Sequence, residues 1–336
     1  MRKTTNKSRG AALKRRTGTT ELKIRRILVP MDFSGLSRQA LNVAVPLARK
    51  YHAKITLVHV VPPVTPIVTF PGDGSYFPVP GDNENLLRST RAQLDKLAGQ
   101  LLPKELQGRR IVREGNAAHE VATQAKAIRA DLIVLSTNSR SDFQRVVFGS
   151  TAERIVRHAH CSVLTVRRQT GAAAKQMLSL KKPVYPQSLP WKRILVPLDF
   201  SLTSLRALEV AVPLAEEAGA GLCLLNVIEP NPYSTGMDGS ILVMPDASMA
   251  RDAKKQLPRI AEHFAPKTAP TASLVLRGRA ASVIVETALQ NRVDLIVLST
   301  HGHTGLGRLL MGSTAEHVVR HAKCPVFVVR KPSGGR

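Results

Sequence analysis

Residues Arg26–Ser34 read RILVPMDFS and residues Arg193–Ser201 read RILVPLDFS, so one nine-residue stretch recurs 167 positions later with a single difference. In each copy an Ile-Leu-Val run is followed by a polar segment that opens a helical pattern. Short aliphatic runs bounded by turn residues are typical of buried strands in a parallel sheet. The stretch therefore predicts the first strand of a unit that occurs twice.

Three further blocks repeat in the same order, which chance does not produce. The blocks are ALNVAVPLA (Ala40–Ala48) with ALEVAVPLA (Ala207–Ala215), DLIVLST at Asp131–Thr137 and at Asp294–Thr300, and Gly149–Arg167 with Gly312–Arg330, which agree at 13 of 19 positions. A repeat of this length indicates a duplicated domain. The predicted divisions are a basic disordered tail at 1–24, a first domain at 25–168, a linker at 169–190 and a second domain at 191–332.

Within each copy, aliphatic runs alternate with helical patterns, which favours an α/β fold. The fold class we predict is two tandem, doubly wound domains, each with a five-stranded parallel sheet. The predicted strands are Ile27–Pro30, Ile55–Val61, Arg110–Arg113, Leu132–Ser136 and Val163–Val166, then Ile194–Pro197, Gly221–Ile228, Ser273–Leu276, Leu295–Ser299 and Val326–Val329. The predicted helices of the first copy are Gly35–Tyr51, Asn85–Leu101, Ala117–Arg129 and Ser150–His158. Ser34 and Ser201 stand where an N-cap opens the first helix.

Composition narrows the class of protein. No apolar stretch approaches the roughly 18–20 residues that cross a bilayer, so we expect no membrane partner. Three cysteines form neither a disulfide framework nor a metal-binding spacing. We therefore expect a cytoplasmic protein; a disordered tail is the favoured interpretation of the basic N-terminus, with an organelle-targeting sequence as the alternative.

The net charge of +25 is concentrated outside the predicted domains. Residues 1–26 carry ten basic side chains and one acidic one, and residues 167–193 carry seven basic side chains and none that are acidic. A basic tail binds nucleic acid through phosphate contacts, or it acts only as a solvated, solubilising arm. Both interpretations stand on the sequence.

Two loops in each copy follow strands that lie at the centre of a doubly wound sheet. Ligands of such sheets bind beyond the carboxyl ends of the strands, where the winding reverses. The first loop holds Asp32, and its repeat holds Asp199. Such a carboxylate accepts hydrogen bonds from ribose hydroxyls or an adenine amino group; the alternative is that it caps the helix that follows.

The second loop runs in the C-terminal copy from Ser299 to Gly312, Ser313 and Thr314 and contains several glycines. Glycine lets the backbone approach phosphate oxygens and adopt positive φ. The free N–H groups and dipole of the helix that follows attract anions. The alternative is a flexible loop with an ordinary N-cap.

The spacing Ser299-x-x-Gly302, nine residues, Gly312-Ser313 resembles the nucleotide-binding signature of the universal stress protein family. The strand that ends in Pro197-x-Asp199 and the closing HAKCPVFVV are similar to the same family, and the resemblance covers nearly all of both copies. It implies an adenine nucleotide alpha hydrolase-like fold with flavodoxin-like layering, and binding of ATP, with or without Mg²⁺.

The resemblance also implies roles for individual residues. Asp199 would meet the nucleoside, the backbone at Val227 the adenine, and the glycine loop with Gly312-Ser313-Thr314 the phosphates. His301 is a further phosphate-contact candidate. The predicted cofactor-binding set is Pro197, Asp199, Val227, Ser299, His301, Gly302, Gly312, Ser313 and Thr314, with Pro30, Asp32, Val60, Ser136, Gly149, Ser150 and Thr151 in the first copy.

The two copies differ at one position of the signature, where Ser139 replaces Gly302. If the site needs a left-handed backbone there, serine costs roughly 1–2 kcal/mol more than glycine. The sequence therefore predicts two unequal nucleotide sites, with the second copy the better one.

The resemblance implies a stress-response regulator that is not an efficient enzyme, since the chain has no Gly-x-x-x-x-Gly-Lys-Ser/Thr loop and no evident general base. A slow ATPase, a nucleotide-free interaction scaffold and a nucleic-acid binder acting through the tail are the alternatives. The family pairs its domains through the last strand, so we expect Val163–Val166 and Val326–Val329 to join in an internal pseudo-dimer. A homodimer of two chains stays open.

Overall fold

The computed structural model describes residues 22–63, 67–69, 76–78, 83–137, 149–167, 183–229, 246–264, 269–300 and 311–330. In the first copy the elements are β1 (Arg26–Pro30), α1 (Gly35–Gln39), α2 (Leu41–Tyr51), β2 (Lys54–Val61), β3 (Ile67–Thr69), β4 (Tyr76–Pro78), α3 (Glu84–Leu101), β5 (Gln107–Glu114), α4 (Ala117–Ala127), β6 (Leu132–Ser136), α5 (Ser150–His158) and β7 (Ser162–Val166). In the second copy they are β8 (Arg193–Pro197), α6 (Leu202–Ala218), β9 (Gly221–Ile228), α7 (Asp246–Phe264), β10 (Thr271–Arg277), α8 (Ala280–Gln290), β11 (Leu295–Ser299), α9 (Ser313–His321) and β12 (Val326–Val329).

The main strands of both copies join one ten-stranded sheet in the order β10-β9-β8-β11-β12-β7-β6-β1-β2-β5. Within each half the neighbouring strands run parallel. The predicted α/β class with two five-stranded parallel sheets is confirmed. Helices α2, α3, α6 and α7 contribute to the core on one face, and α4, α5, α8 and α9 to the core on the other.

The aliphatic runs form strands because both faces of the sheet are covered. Ile27, Leu28 and Val29 of β1 are fully buried, and they alternate between the two core clusters. Burying each such side chain contributes about 1.5–3 kcal/mol. Continuous apolar strands are the expected signature of a parallel sheet with helices on both sides.

Asp131 and Asp294 tie the amino ends of the central strands together in the same way in both copies. Oδ2 of Asp131 accepts hydrogen bonds from the main-chain N–H groups of Arg25 and Arg26, both at 2.8 Å. Oδ2 of Asp294 accepts from Lys192 and Arg193, both at 2.9 Å. The repeated DLIVLST block therefore encodes a tie between strands as well as a strand.

The two halves meet through their last strands, as the sequence predicts. β7 pairs antiparallel with β12, and Phe327 lies opposite Leu164 in that pairing. Both side chains are almost completely buried. The internal pseudo-dimer therefore covers two aliphatic edges that would otherwise stay open to other chains.

Reciprocal arginine contacts reinforce this seam. Nη2 of Arg167, just after β7, donates to the carbonyls of Val319 (2.7 Å) and Arg320 (3.0 Å), near the C-terminus of α9. Nη2 of Arg330, just after β12, donates to Val156 (2.7 Å) and Arg157 (2.8 Å) of α5. Each arginine thus satisfies carbonyls that the helix of the other half leaves open, where a cation also complements the helix dipole.

A ring of four charges connects α5 and α9 across the seam. Arg157 lies 3.1 Å from Glu316 and 3.5 Å from Glu153, and Arg320 lies 2.9 Å from Glu153 and 3.3 Å from Glu316. All four side chains are about one quarter to one half exposed. Such partly exposed pairs stabilise by about 1 kcal/mol or less each, so the strand pairing dominates the seam.

One predicted helix is wrong in its extent. Instead of a single helix over Gly35–Tyr51, the structure has α1 and α2, separated at Ala40, whose N–H bonds the carbonyls of Ser37 and Arg38 in place of the usual i−4 partner. Pro46 inside α2 is not the cause, because its repeat equivalent Pro213 lies inside the unbroken α6.

Two connecting segments also differ from the sequence-based expectation. β3 and β4 form an antiparallel hairpin within Pro62–Pro80, a segment rich in proline and glycine whose sequence shows no regular pattern. Tyr185 and Leu189 of the predicted linker are buried in the core. The similar proline- and glycine-rich segment of the second copy, Pro230–Pro245, lies outside the described residues.

Candidate functional site

The strand order creates the same switch point in each half. From β1 the chain winds outward to β2 and β5, then returns to the other side of β1 to form β6 and β7. The second half does the same about β8 and β11. The loops after these central strands therefore emerge side by side at the carboxyl edge, where ligands of such sheets bind. We call the Asp32 loop with the start of α5 the first site, and the Asp199 loop with the start of α9 the second site.

Each aspartate shapes the loop that carries it. Oδ1 of Asp32 accepts hydrogen bonds from the N–H of Ser34 (2.9 Å) and from its hydroxyl (2.5 Å). Oδ1 of Asp199 accepts from the same groups of Ser201, at 3.0 and 2.6 Å. The N-cap of each helix is therefore the serine, and Oδ1 of the aspartate holds that serine in place.

The serines complete the start of the helix. Oγ of Ser34 accepts from the N–H of Ser37 at 3.2 Å, and Oγ of Ser201 accepts from the N–H of Ser204 at 3.1 Å. These are the N-caps that the sequence predicts. Aspartate and serine together hold the turn in one conformation at the end of the first strand.

A strained residue lies at the centre of each turn. Phe33 and Phe200, which directly follow the aspartates, both have φ of 61°. A positive φ is an outlier for a bulky residue, and such strain concentrates at functional sites. Its recurrence in both copies indicates that the turn, and with it the position of the aspartate, is required.

A side chain from the neighbouring strand anchors the same turn, but the residue differs between the copies. Nδ1 of His59 on β2 lies 2.6 Å from the carbonyl oxygen of Met31. In the second copy Nδ2 of Asn226 on β9 donates to the carbonyl of Leu198 at 2.7 Å. His59 also lies against the ring of Phe33, with centroids 4.5 Å apart. Two chemically different residues therefore perform one positioning role.

The predicted phosphate residues lie at the starts of helices α5 and α9. Gly149 and Gly312 are the N-caps, and neither forms a side-chain cap. The N–H of Gly149 donates to the carbonyl of Thr137 at 3.2 Å, and that of Gly312 to Thr300 at 2.7 Å. Helix and strand end are thus bonded together in both sites.

Neither of these two glycines uses the positive φ that glycine permits. Both have φ of −65°, which any residue adopts. Gly312 is needed for space instead, because a Cβ there would lie 3.1 Å from the carbonyl oxygen of Thr300. At Gly149 the corresponding distance to Thr137 is 3.9 Å, which is an ordinary contact. The helix start is therefore more closely packed in the second site.

The first site contains a buried hydroxyl that the sequence does not single out. Thr137 follows β6 and is 1% exposed, and its Oγ1 has no hydrogen-bond partner among the described residues. An unsatisfied buried hydroxyl costs about 1–3 kcal/mol. A polar ligand at this edge would supply the missing partner, so this residue fits a bound nucleotide.

The remaining predicted residues lie on the expected strand ends. Val60 and Val227 are the penultimate residues of β2 and β9 and are half-buried. The other positions on central strands are the last residues Pro30, Ser136, Pro197 and Ser299. Ser150, Thr151, Ser313 and Thr314 form the first turns of α5 and α9. His301, Gly302 and Ser139 lie outside the described residues.

The cysteines take no part in either site. Cys161 and Cys324 precede the last strand of each half, and burial raises the pKa of each thiol to about 12. All three cysteines are free thiols. Within the ranges the structure covers, no three His, Cys, Asp or Glu side chains gather as metal ligands, and no helix has the length and apolar character to span a membrane.

Comparison with known proteins agrees with this geometry. A model of the universal stress protein family matches residues 23–167 and again residues 190–330. The chain belongs to the universal stress protein family. It is 36% identical over 145 residues to a universal stress protein of Methanocaldococcus jannaschii, in a match covering 42% of this chain and 84% of that protein.

Two longer matches include both halves. A universal stress protein of Mycolicibacterium smegmatis is 26% identical over 316 residues, which is 90% of this chain and 96% of that protein. The crystal structure of a universal stress protein from Archaeoglobus fulgidus covers 92% of this chain and 99% of its own, with a TM-score of 0.61 at 16% identity. The tandem arrangement is therefore shared with other members of the family.

The sequence contains signals for the features that sequence-based reasoning missed, but these signals are not distinctive. His59 and Asn226 occupy equivalent positions in the repeat, yet their different chemistry concealed the common role. The left-handed Phe33 and Phe200 lie within the repeated DFS, where nothing in the residue type suggests positive φ. Only the recurrence of the motif marked these positions.

Proposed function

We propose that this universal stress protein binds an adenine nucleotide, with ATP as the expected ligand, at the carboxyl edge of its sheet and with preference for the second site. The observation that carries the proposal is the duplicated switch point. In each half a fixed aspartate turn lies beside the N-terminus of a Gly-Ser-Thr helix. This arrangement offers an acceptor to a nucleoside and main-chain donors to phosphates.

The aspartate turns support the proposed position of the nucleoside. Oδ1 of Asp199 is engaged by Ser201, which fixes the carboxylate before any ligand arrives. Asp199 is half-buried, whereas Asp32 is exposed. A half-buried acceptor gains more from a hydrogen bond to a ribose hydroxyl, because water screens it less. The backbone of Val227, on the adjacent strand, would border the adenine.

The charges around the starts of α5 and α9 support the proposed position of the phosphates. The first turns of α5 and α9 contain Glu153 and Glu316, which by themselves would repel an anion. Arg157 and Arg320 contact both glutamates in the seam. The N–H groups and dipole of each helix are thus left to attract phosphate.

The role we propose is regulation by nucleotide occupancy, with at most slow hydrolysis. The described residues of the two sites include no histidine or carboxylate at the helix start besides the paired Glu153 and Glu316. Mg²⁺ would enter with the phosphates of ATP. Helices α5 and α9 border the phosphate-binding part of each site and also form the seam. Nucleotide binding would therefore change the contacts at the junction of the two halves.

The test is to purify the full chain, release any bound small molecule and identify it by mass spectrometry, then measure ATP affinity. Asp199→Asn keeps the Oδ1 acceptor of the turn but removes the charge, and Asp32→Asn is its matched control. We expect Asp199→Asn to weaken ATP binding by about tenfold, equivalent to about 1.4 kcal/mol, and Asp32→Asn to have a smaller effect. Absence of any adenine nucleotide in the purified protein together with no measurable ATP affinity would refute the proposal.

A further inference from the structure

A second candidate binding region lies along the free edge strand of the first half, outside the central switch point of the sheet. β5 is the last strand of the sheet, with α3 packed on one face and α4 on the other. Residues of all three elements line a cavity of about 510 Å³. Its polar lining consists of Arg91 and Asp95 of α3, Arg109, Arg110 and Arg113 of β5, and Gln124 of α4. We call this cavity the edge groove.

The edge groove is strongly basic. Four arginines and one aspartate give the lining a net charge of +3. Asp95 is engaged by Arg110, whose Nε lies 2.9 Å from Oδ1. In the part of the chain that the structure describes, Arg91, Arg109 and Arg113 form no ion pair. Three guanidinium groups are therefore available to an anionic ligand.

The main chain of β5 strengthens the positive potential. The N–H of Gly115 bonds to Val61 on β2, so by alternation Arg110, Val112 and Glu114, which follow the register shift in β5, direct their main-chain groups away from the sheet. Two carbonyls of β5 are already bonded by arginines: Gly108 accepts from Nη1 of Arg110, and the outward carbonyl of Val112 accepts from Nη1 of Arg113, both at 3.1 Å. The outward N–H groups then remain as donors. A peptide strand would need these carbonyls, so the edge favours an anion over an added strand.

The second half shows that the fold does not require arginines at these positions of the edge strand. Register places Arg110 beside Leu57 of β2, and Ser273 beside Leu224 of β9, and the two leucines are repeat equivalents. The residues at the positions of Arg109 and Arg113 are then Ala272 and Leu276. Both are exposed on the opposite free edge. The second half thus builds the same strand with Ala272, Ser273 and Leu276 at the positions of Arg109, Arg110 and Arg113, and the arginine of β10 is Arg277 at its end.

We infer that the edge groove binds a small oligophosphate anion, a ligand with two or more linked phosphate groups. Guanidinium groups recognise phosphate oxygens in pairs, and four of them line this cavity. The volume is that of a small-molecule site. No described residue of the lining is aromatic, so the groove offers no aromatic stacking surface for the bases of a nucleic-acid strand. The groove is separate from the second nucleotide site proposed above, and its Arg113 pairs with Val60 at the border of the first.

The test measures binding of inorganic tripolyphosphate to the full chain by calorimetry at low ionic strength. Arg109→Ala/Arg113→Leu installs the residues of the second half at exposed positions. Lys255→Ala/Arg259→Ala on α7 removes the same charge elsewhere and serves as control. We expect at least a tenfold loss of affinity in the groove variant and less than a twofold change in the control. Arg109→Lys/Arg113→Lys, which keeps the charge but not the planar fork, should fall between.

A Gly149→Val/Gly312→Val variant, which obstructs both helix starts, separates this site from the proposed nucleotide sites, and it should retain tripolyphosphate binding at the groove. The inference is overturned by equal losses in the groove variant and the control, or by no loss in the groove variant. It is also overturned if a short single-stranded oligonucleotide binds through Arg109 and Arg113 while tripolyphosphate does not compete with it. Matching thermal unfolding of all variants shows that each is folded.

Discussion

Asp131 in the first half and Asp294 in the second accept the same pair of main-chain N–H groups, and Ser34 and Ser201 cap their helices in the same way. At the carboxyl edge the halves differ: His59 replaces Asn226, and the helix start at Gly149 is more loosely packed than that at Gly312. The two halves therefore share the scaffold and differ in the residues that border the sites. The first half also carries Arg109 and Arg113 on its free edge, where the second half has Ala272 and Leu276.

Substitutions in the seam should cause the largest loss of stability, and the loss should be similar whether β7 or β12 is changed. Phe327→Ala removes a fully buried ring opposite Leu164, and we expect a loss of about 3–5 kcal/mol in the free energy of unfolding. Leu164→Ala should cost about 2–5 kcal/mol. Urea unfolding measures both. A loss below about 1 kcal/mol in either variant would show that the halves do not depend on this pairing.

The buried thiols should make the two halves equally sensitive to high pH. The pKa of Cys161 and of Cys324 is raised from 9.0 to about 12 in the folded state by burial. The unfolded chain therefore loses these protons first, so the stabilisation is complete below pH 9 and is lost as the pH rises toward 12. From pH 8 to pH 10 the two thiols together should lower stability by about 3 kcal/mol.

Urea unfolding at several pH values checks this expectation. Cys161→Ala and Cys324→Ala should each remove about half of the contribution of these two thiols, and the double variant all of it. Cys223, Tyr51 and Tyr185, whose pKa values burial also raises, leave a residual slope in the same direction. A pH dependence that the double variant leaves unchanged would contradict the assignment to the thiols.

The anchors of the aspartate turns offer a smaller test. Asn226 is 7% exposed, and Asn226→Ala leaves the carbonyl of Leu198 without its donor, so we expect a loss of about 1–2 kcal/mol. His59→Ala should cost less, because His59 is only half-buried. His59→Asn, which copies the second half, should be nearly neutral. Thermal or urea unfolding distinguishes these cases, and a His59→Asn loss as large as that of His59→Ala would argue against a shared role.

Much of the fold was predictable because its signals are local and occur twice. β6, β9, β11, β12 and α5 have the predicted bounds, since each is a continuous apolar run or a helix that starts at Gly-Ser-Thr. The break at Ala40 was not predictable, because the same Ala and Pro pattern forms an unbroken helix in the second copy. The β3–β4 hairpin was missed because proline and glycine interrupt its short strands.

The site was predictable in its placement but not in its internal geometry. Strand order follows from the alternation of elements, and it brings Asp199 and Gly312 to one edge. Hydrogen bonds within the turn, the left-handed Phe200 and the anchoring Asn226 depend on tertiary contacts that no local pattern specifies. The arginines of the edge groove come from α3 and β5, so only the fold shows that they share a cavity.

The smallest stability effect separates the two helix starts. A Cβ at Gly312 would lie 3.1 Å from the carbonyl oxygen of Thr300, whereas at Gly149 there is room. We expect Gly312→Ala to cost about 1 kcal/mol more than Gly149→Ala in unfolding experiments. Equal costs would mean that the closer packing of the second site has no energetic consequence.

The most direct test of the proposed function is calorimetric titration of the nucleotide-free full chain with ATP, for the wild type and for Gly149→Val and Gly312→Val. Valine at either helix start obstructs the approach of phosphate, and each variant controls for the other. The account predicts ATP binding by the wild type that weakens at least tenfold in Gly312→Val and is largely retained in Gly149→Val. Retention in Gly312→Val with loss in Gly149→Val, or no binding by the wild type, would contradict it.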